Sequence, residues 1–476
     1  MGNTTWIVVA AGLAVATLLL LVIKFKVQEF LALLITSIAF GLAIGMNPSD
    51  LVALVVEKMG GALGQLALVI GLGAVFGTIL QRSGAAERIA TTLVGRFSDK
   101  SVAWGLGAAG FLVSISVYID VAIVILVPML YGIAERTGKS LLYYGIPLCA
   151  GLSVAYTFMP PAPGPLAAAG IMNADLGLVI LFGAICGIPA VIVGGPLFGR
   201  FIAKRIFVPV PAELYAHTAV KTKHRTPTGP SGGGGGGASD NGSVDPADEP
   251  VPLPSFLSVI GGLLFPLVLI VLGTLAKNVL PEDSVARTVL VFIGHPVIAL
   301  LATCLYTMWF FGIRRGATGE ELQKMASDAL APAGVIILIT GAGAVFGGVL
   351  VESGLGKVLA SAMESVGIPL VLFGFVTSAV TRICQGSGMI AMITGATFTA
   401  PIATELGAGA PTVALTSIAI ACGGAAFSHV NDSGFWMANR YFGMSVPDTL
   451  KSWTVMKTLV GLTGLTCVLI LNTFIS

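Results

Sequence analysis

The chain has 476 residues, of which 55% are hydrophobic and 10% charged, and a formal net charge of +2. So few charges cannot keep a folded surface of this size solvated, which excludes a soluble globular protein. A balance this close to neutral carries no case for a nucleic-acid partner.

Long apolar runs recur, each near the roughly 20 residues a helix needs to cross the hydrocarbon, without the alternation of a β-barrel strand. Thr5–Ile23 is the first. No basic residue precedes it and no small-residue cleavage site follows, so it reads as an uncleaved span rather than a signal peptide. Lys24 and Lys26 come next, and because short cytoplasmic loops hold Lys and Arg in excess, the N-terminus is expected outside. Phe30–Met46 returns outward, and Leu63–Leu80 comes back to Arg82, Arg88, Arg96 and Lys100. Val102–Ala134 is then apolar for longer than one crossing needs, yet Arg136 and Lys139 again read as cytoplasmic. A re-entrant hairpin with its tip at "SISVYID", Ser114–Asp120, reconciles the two. Leu141–Met172 crosses outward but contains "FMPPAPGP", whose prolines cannot all sit in a regular helix, so it is expected to be a broken span. Leu176–Phe198 returns to Arg200, Lys204 and Arg205.

Over residues 208–254 the apolar pattern gives way to "KTKHRTPTGPSGGGGGGASDNGSVDPADEP", the composition of a flexible tether, placed in the cytoplasm. It separates an N-terminal repeat, 1–207, from a C-terminal one, 255–476. The halves resemble each other: "GLGAVFGTILQRSG" from Gly71 matches "GAGAVFGGVLVESG" from Gly341, and "CAGLSVAYTFMPP" from Cys149 lines up with "CGGAAFSHVNDSG" from Cys422. In the second half Leu257–Leu275 runs out, Val289–Phe311 back to Arg314 and Arg315, and Val335–Leu350 out. A second hairpin, Ile368–Pro401, has its tip at "RICQGSG". Thr412–Phe427 breaks at "SHVNDSG", and Trp453–Ile475 exits, so both termini are expected outside. The parity is reversed. The expected fold is an all-α polytopic membrane protein of two inverted repeats, each with about five spans, a re-entrant hairpin and a broken helix, as in secondary transporters. Amphipathic "SGAAERIATTLVGRF" and "SGLGKVLASAMESVG" are expected along the membrane interface, as arms for a moving part.

Non-helical backbone at membrane depth survives only where protein or trapped water satisfies it, so the four breaks should converge on one polar cavity. The expected substrate-binding residues are therefore Ser116, Tyr118 and Asp120 at the first tip, Tyr156, Thr157 and Pro161 at the first broken span, Arg382, Gln385, Gly386 and Ser387 at the second tip, and Ser428, His429, Asn431 and Asp432 at the second broken span. Asp120 lies in an apolar run, where an acid is functional by default, as a proton carrier or a group that orients substrate; the alternative is a structural pair with Arg382. Asp432, beside His429, is the rival proton carrier. Arg382 suits a substrate carboxylate; the alternative is that it faces solvent. Ser428, His429 and Asp432 are too close in sequence to fold onto one another as a catalytic triad, so no enzyme is expected. The six cysteines lack metal-type spacing. Neither G-x-x-x-x-G-K-[ST] nor H-E-x-x-H occurs, so no metal, cofactor or ATP-driven step is expected and an ion gradient is the energy source.

Taken together, "IKFKVQEFLALL", "GAAERIATTL", "PPAPGP", "NADLG", "SHVNDSGFW" and "KSW" resemble the gluconate permease family of proton symporters, over nearly the whole chain outside the linker. The resemblance implies the ion-transporter type of fold, with a scaffold part and a mobile transport part working by elevator-like alternating access. The implied substrates are gluconate, other small sugar acids or hydroxy-carboxylates such as glycerate, and in one branch D-serine. The chain departs from the gluconate carriers in three places. Asp120 in "YIDVA" stands where they have Glu in a "YEVG"-like stretch; "YTFMPPAPGP" puts Tyr156 and Ala162 where "HGFLPPHPGP" has histidines; and "RICQGSGMIA" differs from "RIALGSATVA" at Cys384, Gln385 and Gly388. The expected function is proton-coupled import of a small organic anion across a bacterial inner membrane, against a sodium-coupled carboxylate or D-amino-acid carrier of the same fold. Its partners are the anion, protons and the lipid bilayer, with a homodimer allowed.

Overall fold

The structure, a computed structural model, describes residues 2–96, 101–115, 117–211 and 253–475. Ser116, the side chain of Asp120 and nearly all of the expected linker lie outside the described residues.

Every regular element among them is helical. In chain order the principal helices are α1 (Gly2–Ile23), α2 (Glu29–Ala43), α3 (Pro48–Arg82), α4 (Ala85–Arg96), α5 (Val102–Ser114), α6 (Ile119–Thr137), α7 (Leu142–Phe158), α8 (Pro163–Ile171) and α9 (Leu176–Ile192), then α10 (Phe256–Val279), α11 (Val285–Ile293), α12 (Pro296–Thr307), α13 (Gly319–Glu352), α14 (Leu355–Val366), α15 (Leu370–Gln385), α16 (Gly388–Glu405), α17 (Ala410–Ala425), α18 (Ser433–Phe442) and α19 (Val455–Ile475). From α3 to α9 and from α13 to α19 the order is the same: a long helix, a short one, a helical pair, a second pair and a final span. Among the described residues seven helices are long and apolar enough to cross a membrane, or eight if the pair Ala67–Arg82 and Ala85–Leu93, bent by 61°, forms one. Apolar side chains such as Val56, Phe201, Leu305 and Phe474 stand exposed, as a lipid-facing surface requires.

The helices depart from the apolar runs where local chemistry overrides hydropathy. α3 and α13 begin well before Leu63 and Val335 because strong start signals lie upstream: Asn47 accepts from the Ser49 N–H at 2.9 Å with Pro48 in the first turn, and Thr318 and Glu321 form a capping box. The expected span Val289–Phe311 is two helices. His295 precedes Pro296 and takes an extended conformation, ψ 128°, and Gly294 lies so close to Gly273 that an added Cβ would sit 2.5 Å from its Cα.

Both broken spans are interrupted where their sequences foretell it. α7 ends at Phe158 and α8 resumes at Pro163; α17 ends at Ala425 and α18 resumes at Ser433. The helical pairs differ. α15 and α16 pack along each other, whereas α5 lies on α7 and touches α6 little beyond their turn, so the first pair is opened out rather than closed as the expected hairpin. Close backbone approach fixes both pairs to their broken spans: a Cβ on Gly151 would meet the Gly107 carbonyl oxygen at 2.1 Å, and one on Gly423 the Phe375 carbonyl oxygen at 2.4 Å. The halves then interlock, α8 packing on α16 and α18 on α6, which brings the second tip and both breaks to one place.

Candidate binding site

The turn between α15 and α16 is made by Gly386, in the left-handed region at φ +81°, and by Ser387, whose hydroxyl accepts from the Ile390 N–H at 3.4 Å to start α16. One helical turn before, Arg382 is 3% exposed. Its Nη1 donates to the Gly386 carbonyl and its Nη2 to Asp432 Oδ2. Arg382 therefore does not face solvent, and its described acid partner is Asp432. Its partner comes from the second break, because α15 packs along α17 and so lies beside the segment that follows it.

Asp432 is held from several sides. Ser428 donates its hydroxyl to Oδ2, and the Gly434 N–H donates to Oδ1 at 3.1 Å, so the carboxylate also caps α18. Ser428 in turn accepts from Trp453 Nε1 at 2.8 Å. Asn431 Nδ2 donates to the Ile383 carbonyl at 2.8 Å, which fastens the break to α15. A buried charge needs such a network, since several kcal/mol of solvation would otherwise be lost.

Around this frame lies a cavity of about 390 Å³, within the range of small-molecule sites. Of the residues expected at the site, Tyr156, Thr157, Arg382, Gln385, Gly386, Ser387, Asn431 and Asp432 line it. The others do not. Ser428 is 1% exposed and acts from behind Asp432. His429 is off the cavity, with Nδ1 3.0 Å from the Phe427 carbonyl oxygen. Tyr118 and Pro161 line a second, smaller hollow with Tyr156, where the Tyr118 and Tyr156 rings lie 6.3 Å apart between centroids. For Asp120 the structure gives its place in the first turn of α6, next to Ile119, which lines the main cavity. Nine further residues line it, among them Trp453 and Lys457, which the sequence reading does not place at the site. Lys457 is 4% exposed and donates to the Ser153 hydroxyl on α7. A lysine inside the apolar run 453–475 was the signal that could have found it.

Among the described residues two polar atoms at the cavity are buried without a partner: Arg382 Nε and Gln385 Oε1. Orphaned groups of this kind are costly, and a ligand that answers them recovers that cost. Among the described residues the site thus presents two basic side chains, one carboxylate and an unanswered donor and acceptor. Among the described residues no group of His, Cys, Asp and Glu could hold a metal ion.

Comparison with known proteins follows the same lines. A family model described as GntP family permease matches residues 5–231 and 239–474. The low-affinity gluconate transporter of Escherichia coli K12 is 37% identical over 465 residues, covering 98% of this chain and 97% of that protein. The Gnt-II system L-idonate transporter of Escherichia coli K12 is 34% identical over 466 residues, covering 98% of each. The fold is shared with the MtrF structure from Neisseria gonorrhoeae, at a TM-score of 0.60, 15% identity and 92% coverage of each chain. It is also shared with the YdaH transporter of Alcanivorax borkumensis, at a TM-score of 0.59, 18% identity and coverage of 88% of this chain and 87% of that one.

Proposed function

This chain belongs to the GntP family of permeases, transporters rather than enzymes, and we propose that it imports a small hydroxy-carboxylate of the gluconate type together with protons across a bacterial inner membrane. The observation that carries the reading is the cavity lined by Arg382 and Lys457, where Arg382 is already paired with Asp432 and Lys457 has no acid partner among the described residues. That leaves Lys457 as the cation that a monovalent anion can pair with. The orphaned Arg382 Nε and Gln385 Oε1 suit hydroxyl groups, each of which both donates and accepts. Relatives named for gluconate and L-idonate carry polyhydroxy acids of this kind.

In this reading the two like-ordered halves are inverted repeats, 1–207 and 255–476, with the linker in the cytoplasm and both termini outside. The cavity lies where their breaks meet, the position that alternating access requires. Each half has a helical pair and a broken span as its transport part, and the short helices α4 and α14 are the arms that let these parts move as an elevator.

Purified protein in proteoliposomes tests the proposal. An inward proton gradient should drive accumulation of labelled gluconate, and a protonophore should abolish it. No accumulation of gluconate, idonate or glycerate would overturn the substrate class; accumulation that follows a sodium gradient at fixed pH would replace the proton.

A further inference from the structure

Arg382 is the expected anchor for a substrate carboxylate, and its surroundings argue against that role. Both terminal nitrogens already donate, one to the Gly386 carbonyl and one to Asp432, so the end that grips a carboxylate bidentately is turned to protein groups. The guanidinium nitrogen that has no partner is Nε, with Gln385 Oε1 also unanswered. A carboxylate placed there would meet the negative charge of Asp432 and the lone pairs of an amide oxygen. A hydroxyl would not, because it can accept from Nε and donate to Oε1.

Lys457 stands in the opposite condition. Its ammonium has three donors, of which one goes to the Ser153 hydroxyl, and it forms no ion pair with any acid among the described residues. It lines the same cavity and is almost fully buried. Ser153 is fixed on α7, where its carbonyl takes the Thr157 hydroxyl at 2.8 Å, so the ammonium is held against a rigid wall.

We infer that Lys457, rather than Arg382, receives the substrate's carboxylate, while Arg382 Nε and Gln385 receive its hydroxyls. This rests on the reading of the site as one for a hydroxy-carboxylate and gives that substrate a direction: charged end towards α7 and α19, polyol end towards the α15–α16 turn. Lys457 is then the residue that makes the carrier select an acid over a neutral polyol of the same shape.

The test is competition against labelled gluconate on the purified full-length protein, with gluconate and its neutral amide, gluconamide, as competitors. Wild type should prefer gluconate. Lys457→Gln should weaken gluconate by roughly tenfold to a hundredfold, the scale of a lost charge-assisted hydrogen bond, and leave gluconamide within about twofold. Lys457→Arg, which keeps the charge, should retain most of the preference, and Lys324→Gln, at an exposed position, should change nothing. Should Lys457→Gln not fold, Ser153→Ala removes only the hydroxyl that holds the ammonium and should lower the same ratio. An equal loss for both competitors in Lys457→Gln, or no loss for either, would overturn the assignment alone. Failure of wild type to bind gluconate or any other hydroxy-carboxylate would instead overturn the proposed function, and this assignment with it.

Discussion

Arg382 and Asp432 are 50 residues apart in sequence and form a buried ion pair that ties the α15–α16 turn to the break between α17 and α18. Neither element keeps regular backbone here, and each supplies the charge that the other needs.

Removing one partner of a buried pair leaves an uncompensated charge and costs about 3–5 kcal/mol, whereas replacing both by apolar residues is often neutral. Arg382→Met should therefore lower the thermal unfolding midpoint sharply and abolish uptake. The double variant Arg382→Met with Asp432→Leu should recover most of the stability without recovering uptake. A single variant as stable as wild type would show that the pair does not hold the two segments together.

Gly386 gives a second measure of how closely those segments meet. Its φ of +81° alone makes a side chain strained, by about 1–3 kcal/mol, and a Cβ there would lie 2.2 Å from the Asn431 carbonyl oxygen. Gly354, in the turn between α13 and α14, has φ +73° and no atom within 4 Å of such a Cβ. Gly354→Ala should thus lower stability modestly and leave transport working, while Gly386→Ala should lose both. Uptake by Gly386→Ala at the wild-type rate would mean that the turn and the break separate in the transporting protein.

Most of the fold was legible because hydropathy and proline report backbone directly. "FMPPAPGP" and "SHVNDSG" mark interruptions whatever surrounds them, and both are found there. Partner choice was not legible. The sequence reading offers Asp120 as the mate for Arg382, and it is the packing of α15 on α17 that brings Asp432 to it. The opened first pair was illegible for the same reason: its apolar run is compatible with either arrangement, and contacts to α7 and α18 decide. Lys457 is a different case. Its signal was visible, but the run 453–475 is apolar enough to pass as an ordinary span despite it.

The segment Thr222–Glu249 lies outside the described residues, and its expectation rests on composition. A solvated tether contributes loop-closure entropy that changes slowly with length, about 0.6 kcal/mol for each doubling. A correctly inserted deletion of this segment should keep uptake within about twofold of wild type. Complete loss would make it a gate or a docking segment.

Opposite orientation of the halves predicts a pattern of labelling. Single cysteines at Arg136 and Arg314 should react with an impermeant reagent from the cytoplasm, and one at Lys357 only from outside, each in a background without the native cysteines. Cytoplasmic labelling of positions 136 and 357 together would overturn the inverted repeat while leaving the site geometry untouched.

Proton coupling needs a group whose protonation and anion binding favour each other. Asp432 is poorly placed for this, since a proton on it would compete with Arg382, Ser428 and the Gly434 N–H for the same two oxygens. Asp120, in the first turn of α6 beside the cavity-lining Ile119, is the acid that we expect to carry the proton. Asp120→Asn keeps the size of the side chain and fixes it as neutral. Counterflow exchange in proteoliposomes should then persist while gradient-driven accumulation falls at least about tenfold and loses its pH dependence, a cost near 1.4 kcal/mol of coupling or more. Asp432→Asn should lose exchange and accumulation together, because it dismantles the frame around Arg382. Accumulation that survives unchanged in Asp120→Asn would remove Asp120 from the coupling role, and an Asp432→Asn protein that exchanges but no longer accumulates would move that role to the second break.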